Sequence, residues 1–135
     1  MIDFQNEIYT TLHTAVKTAF PSAKVSGEYT RSPAQFPCVT CEEIGNSDIQ
    51  TLFDSSRAEK YARLQYRVQV FSNSTNGKKA EARSIYATCD AAMKGLGFVR
   101  KTYTTTPDLY QSTVYQITVT YEAVIDASGV IYGQE

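Results

Sequence analysis

Apolar residues recur along this chain with two periods, one helical and one of alternate positions, and the switches between them mark its elements. Over residues 3–19, Phe4, Ile8, Leu12, Ala15, Val16 and Ala19 fall at three- and four-residue spacing. This predicts an amphipathic helix with Asp3 as N-cap and Pro21 closing it. A second stripe, Ala82, Ile85, Tyr86, Cys89, Ala92, Met93 and Leu96, predicts a longer helix closed by Gly95 and Gly97. Residues 61–71 run instead at period two, with Ala62, Leu64, Tyr66, Val68 and Val70 on one face and Tyr61, Arg63, Gln65, Arg67 and Gln69 on the other. Tyr115, Ile117, Val119, Tyr121 and Ala123 alternate in the same way with Gln116, Thr118, Thr120 and Glu122. Both segments predict long strands with one core face and one wet face.

Shorter signals fill the rest. Residues 23–27 and 38–44 predict strands, and the prolines at 33 and 37 hold the chain between them extended. Residues 98–105 predict a strand that turns at Thr106, Pro107 and Asp108 and pairs as a hairpin with the strand over 112–123. Residues 45–56 are polar, without periodicity and long for a hairpin connection, so a projecting arm is expected over about residues 45–60. A tail of about residues 126–135 turns at Ala127, Ser128 and Gly129. The order of elements predicts an α+β domain spanning 1–135: a mainly antiparallel sheet with two helices packed on one face.

Composition narrows the function classes. The chain has 135 residues, 42% hydrophobic and 20% charged, which is enough for a core without metal or disulfide staples. Thirteen Lys and Arg against fourteen Asp and Glu give a net charge of -1, which speaks against a dedicated nucleic-acid binder and leaves room only for a local basic patch. The opening residues lack the basic and apolar regions of a signal peptide, and no apolar run is long enough for a bilayer. The expectation is a cytosolic chain that makes no membrane contact. Three cysteines, Cys38, Cys41 and Cys89, cannot all pair within one chain and are expected as thiols.

Candidate chemistry is sparse. Cys38 and Cys41 have the spacing of a redox or zinc half-site, but residues three apart on a strand point to opposite faces. His13 is the single histidine and has no nucleophile placed near it, and Glu42 and Glu43 diverge as strand neighbours. Gly95, Leu96 and Gly97 follow a helix, whereas phosphate-binding glycines precede one. The sequence therefore predicts no catalytic residue, no metal and no cofactor. What stands out is Arg57, Lys60, Arg63 and Arg67 around one strand face, and ten tyrosines with no tryptophan, eight of them from Tyr61 onward. A basic face is either solvated or an electrostatic contact with a partner or a passing DNA backbone. Tyrosine, apolar with a polar tip, is enriched where protein meets protein.

The landmarks in order resemble the tail terminator, or tail-to-head joining, proteins of long-tailed bacteriophages, some of which are called minor capsid or tail completion proteins. The resemblance rests on the first helix ending in Phe20, Pro21, Ser22, Ala23, Lys24 and Val25 and on the segment from Gln35, Phe36 and Pro37 through Glu43. It continues in Tyr66, Arg67, Val68, Gln69, Val70, Phe71 and Ser72, in Ala80, Glu81 and Ala82, in Gly95, Leu96, Gly97 and Phe98, and in Tyr121, Glu122, Ala123, Val124, Ile125 and Asp126. It implies a non-enzymatic subunit of a homohexameric ring that ends the tail tube and joins it to the head-completion complex. DNA would pass through the lumen, in a virion assembled in the host bacterial cytoplasm. The implied partners are other copies of the chain, the tail tube protein, a head-completion or neck protein and, transiently and without sequence preference, the DNA.

A ring repeats one heterologous contact, so each subunit needs two complementary patches. The arm, with Gln50, Thr51, Leu52, Phe53 and Arg57, is expected to form one, along with Tyr61; Tyr132 in the tail is expected to belong to another. Lys60, Arg63 and Arg67 are the expected lumen or charge contacts. Two alternatives stay open: another neck protein, such as a head-closure or connector-completion protein, and a small-ligand-binding α+β domain with Tyr115 or Tyr121 in its pocket.

Overall fold

The computed structural model describes residues 3–27, 36–49, 61–73, 77–107, 115–126 and 131–132. Helix α1 (Gln5–Ala19) and helix α2 (Lys78–Leu96) pack on one face of a sheet built from β1 (Lys24–Ser26), β2 (Cys38–Ile49), β3 (Tyr61–Ser72), β4 (Val99–Pro107), β5 (Tyr115–Asp126) and β6 (Ile131–Tyr132). The strand order is β1-β2-β3-β5-β4, with β6 paired to β5 beyond the end of β4. Among the described residues β1 and β2 pair in parallel and the other pairs are antiparallel, β3 and β5 lying side by side although α2 and β4 come between them in the chain.

The helical stripes are the buried faces. Ile8, Leu12 and Val16 of α1 and Ala82, Ile85, Cys89 and Met93 of α2 meet the inward residues of β3 and β5 in one core with Val39, Cys41 and Phe98. In β3 and β5 the apolar partners sit directly opposite each other: Leu64 with Ala123, Tyr66 with Tyr121, Val68 with Val119 and Val70 with Ile117. Tyr66 also meets the Phe98 ring edge-on, centroids 5.4 Å apart.

Element ends differ from the sequence reading in ways that pairing explains. The N-cap position of α1 is Phe4; Asp3, one residue earlier, accepts a hydrogen bond from the Gln5 N–H at 3.1 Å. Gly97 takes φ +104 at the end of α2 and returns its N–H to Lys94, so the helix stop read from glycine is a left-handed cap. The polar residues 45–49, read as the base of the arm, are strand. After a bulge between Glu43 and Gly45 they pair with β3 from Gly45 opposite Gln65 to Ile49 opposite Tyr61. Backbone pairing to a long neighbour holds them there without any hydrophobic alternation of their own. Similarly, β4 continues through Thr106 and Pro107, and Ile131 and Tyr132 of the tail form β6 on β5.

Candidate assembly surfaces

The sheet face turned away from the helices is a lattice of hydroxyls, amides and paired charges. Cross-strand register places Glu42 opposite Arg67 and Arg67 opposite Thr120, and sets Thr40, Gln69 and Thr118 in the next row of that face. Thr40 Oγ1 donates to Gln69 Oε1 at 3.2 Å, Gln116 Nε2 donates to Thr118 Oγ1 at 3.1 Å, and the Thr102 and Thr120 hydroxyls meet at 2.5 Å. Such cross-strand pairs stabilise a sheet face without apolar burial.

Part of this face is dry. Thr40 and Gln69 are buried, and below them Cys38 and Phe71 form a second small apolar cluster with Phe36 packed on it. Cys38 and Cys41 therefore serve opposite faces, Cys41 in the main core and Cys38 in this cluster. Burial pushes both thiols up, Cys41 to about 12, and Cys89 in α2 likewise to about 12.

Arg63 and Arg67 lie on this polar face, as alternation predicts, and the structure adds their partners. Arg63 Nε is 2.9 Å from Glu122 Oε1 on β5, and Arg67 pairs with Glu42 on β2. The basic stripe read along β3 is thus answered from both neighbouring strands. Alternation on β5 already put Glu122 on the polar side; only the register between strands could place it beside Arg63.

A second polar cluster sits between α2 and β4, and the sequence reading missed it. Asp90 accepts hydrogen bonds from the Tyr121 hydroxyl at 2.8 Å and the Tyr86 hydroxyl at 3.0 Å, and Lys94 Nζ lies 3.4 Å from it. Arg100 donates from Nη1 to the Tyr86 oxygen at 3.1 Å. Burial alone would raise the Asp90 carboxyl, but the hydrogen bonds from Tyr121, Tyr86 and Lys94 and the Lys94 charge outweigh it and hold the group below its ordinary value. Burial raises the Tyr121 phenol, so Tyr121 stays a donor. The i, i+4 spacing of Tyr86 and Asp90 is visible in the sequence; Tyr121, 31 residues on, is not.

On the opposite flank a cleft of about 490 Å³ opens between α1, β1 and β2. Glu43 stands in it, accepting from Gln5 Nε2 at 2.9 Å and Tyr66 Oη at 3.3 Å, and burial raises its carboxyl despite these bonds. Tyr9 closes the wall by donating to the Val25 carbonyl at 3.1 Å. Glu42 and Glu43 diverge to opposite faces, as strand neighbours must.

Of the other residues singled out in the sequence, Tyr61 is exposed at the start of β3, and Tyr132 lies in β6 opposite Val124. Gln50, Thr51, Leu52, Phe53, Arg57 and Lys60, and with them the arm beyond β2, lie outside the described residues. Tyr121 has no exposure and gives its hydroxyl to the Asp90 cluster, so the polar group considered for a ligand pocket is spent inside the fold.

The described residues thus form an α+β domain with a hydrogen-bonded polar sheet face and a polar cleft on each flank. A family model described as Tail completion protein gp17 matches residues 7–126, and the chain belongs to that family. It is a structural protein of the phage tail with a role in tail completion, and it works alongside other tail proteins of the virion. No curated protein matches it. No described helix is long and apolar enough to cross a membrane.

Proposed function

We propose that the chain is a non-enzymatic subunit of a homohexameric ring that ends the tail tube and joins it to the head-completion or neck complex, with DNA passing through the lumen. The observation that carries this reading is the polar face of β3 and β5, where Arg63 and Arg67 are matched by Glu122 and Glu42 among threonine and glutamine side chains. A lumen for DNA must be wettable and must not hold the phosphates. Unmatched arginines would bind the backbone with strong salt dependence, whereas arginines already paired to carboxylates leave weak, sequence-independent contact.

The helices, packed on the other face, would then form the outside of the ring. The whole chain, 1–135, acts as one domain. Its arm, with Gln50, Thr51, Leu52, Phe53 and Arg57, reaches a neighbour, Lys60 adds to the charge contacts of Arg63 and Arg67, and Tyr61 and Tyr132 border the contact. Assembly takes place in the host bacterial cytoplasm.

Light scattering on the purified chain over a concentration series, followed by negative-stain imaging, tests this. A species of six subunits with a central hole that stops elongation of purified tail tubes supports the reading. A ring that binds the head connector and leaves tube growth untouched would assign the chain to head closure instead.

A further inference from the structure

The two outer edges of the sheet differ in charge. Strand β2 (Cys38–Ile49) carries Glu42, Glu43 and Asp48 and no Lys or Arg, while β4 (Val99–Pro107) carries Arg100 and Lys101 and no acid. β1 covers only Cys38 to Thr40 of β2, and among the described residues no strand pairs with the rest of that edge or with the outer edge of β4. Exposed strand edges are templates for pairing with another chain.

The charged segments also stand at one height. A row across the sheet runs Glu43, Tyr66, Tyr121, Arg100, with the acid at one end and the base at the other. Both edges are bulged at this row, β2 between Glu43 and Gly45 and β4 between Arg100 and Thr102. A bulge re-aims the residue it displaces, here Ile44 on one edge and Lys101 on the other. Ile44 and Tyr103 are 44% and 43% exposed, so each edge also carries a large apolar side chain in water beside the charges. Arg100 is already engaged with Tyr86, which leaves Lys101, exposed and without an ion pair among the described residues, as the available cation.

We infer that the outer edge of β4 pairs with the outer edge of β2 in a second copy of this chain, Lys101 reaching the Glu43 cleft and Ile44 meeting the Val99 end of the neighbouring β4. The inference rests on the ring reading above and names its contact. Alternating antiparallel steps through β3 and β5 make β2 and β4 run in opposite directions. Rotation about an axis along the strands keeps those directions, so β4 of one copy meets β2 of the next antiparallel. The contact is heterologous and repeats until it closes. β1, seated on the lower part of β2, sets a stop that leaves the neighbour's first half of β4, from Val99 to Tyr103, as the part that pairs. Burial leaves the Glu43 carboxylate short of compensation, which a neighbouring ammonium supplies.

Two measurements on the full chain test this: association by light scattering for wild type, Lys101→Glu and Glu43→Gln, and amide hydrogen exchange of the wild type as monomer and as assembly. The expected result is at least tenfold weaker association for both variants, with a free subunit that melts like wild type for Lys101→Glu and no lower than wild type for Glu43→Gln, and new protection on assembly in both edges, at residues 41–47 and 99–103. A wild type that assembles with neither edge gaining protection, or a folded Lys101→Glu variant that assembles like wild type, overturns this contact and leaves the ring reading standing. A wild type that stays monomeric at every concentration, even on tube tips, overturns the ring and this contact together.

Discussion

Tyr121, in the middle of β5, donates its phenolic hydrogen to Asp90 on α2 across 2.8 Å. This bond ties the sheet to the second helix and fixes a carboxylate at the mouth of the groove beside Arg100 and Tyr103. Replacing Tyr121 with Phe keeps the ring and removes one donor from a charged acceptor, which should cost about 1–2 kcal/mol in urea unfolding. A stability equal to wild type would show that Tyr86 and Lys94 alone satisfy Asp90.

The same carboxylate sets an acid limit. Its folded-state pKa lies below the unfolded value, so the stability it contributes is fully present above the unfolded value of about 4 and is lost as pH falls through the folded one. Asp90→Asn should flatten the fall of the thermal midpoint with pH below about 4. Glu43 acts with the opposite sign. Its carboxyl is raised, so the folded state holds that proton more tightly and stability declines as pH rises from the unfolded value through the folded one; Glu43→Gln should remove this decline.

Gly97 is closed to side chains. Its φ is +104, and a Cβ there would stand 2.9 Å from Ile131 Cγ2. Gly97→Ala should lower stability by more than about 1 kcal/mol through backbone strain alone, with loosened exchange protection at β6 as the second readout.

Charge reversal on the polar face should separate its two arginines. Arg67→Glu sets a carboxylate directly across from Glu42 on a half-buried part of the sheet, whereas Arg63, 47% exposed, faces Glu122 in more solvent. The first substitution should destabilise the free subunit by about 1 kcal/mol or more and the second by less, measured by chemical denaturation.

The three thiols should be silent in the folded chain. Cys38, Cys41 and Cys89 are buried with raised pKa values, so a disulfide-exchange reagent at pH 8 should label none of them at a rate faster than unfolding, and all three in denaturant. Fast labelling of Cys38 alone would mean that the small cluster with Phe71 opens independently of the core.

The sequence by itself determined the two helices, the strands β3 and β5 and the face each turns to the core, because burial is written at periods that a single segment carries within itself. Ile8, Leu12 and Val16, or Leu64, Tyr66 and Val68, need no knowledge of their partners to be read as inward-facing. It also showed the stripe of Arg63 and Arg67 and the divergence of Glu42 from Glu43. Only the tertiary structure decided what these residues meet. The charge pairs with Glu122 and Glu42, the junction of Tyr121 with Asp90, the pairing of polar residues 45–49 and the row from Glu43 to Arg100 all depend on register between strands distant in sequence. Backbone hydrogen bonds are indifferent to side-chain identity, so register emerges from the packing of the whole core and leaves no local periodic mark in the chain.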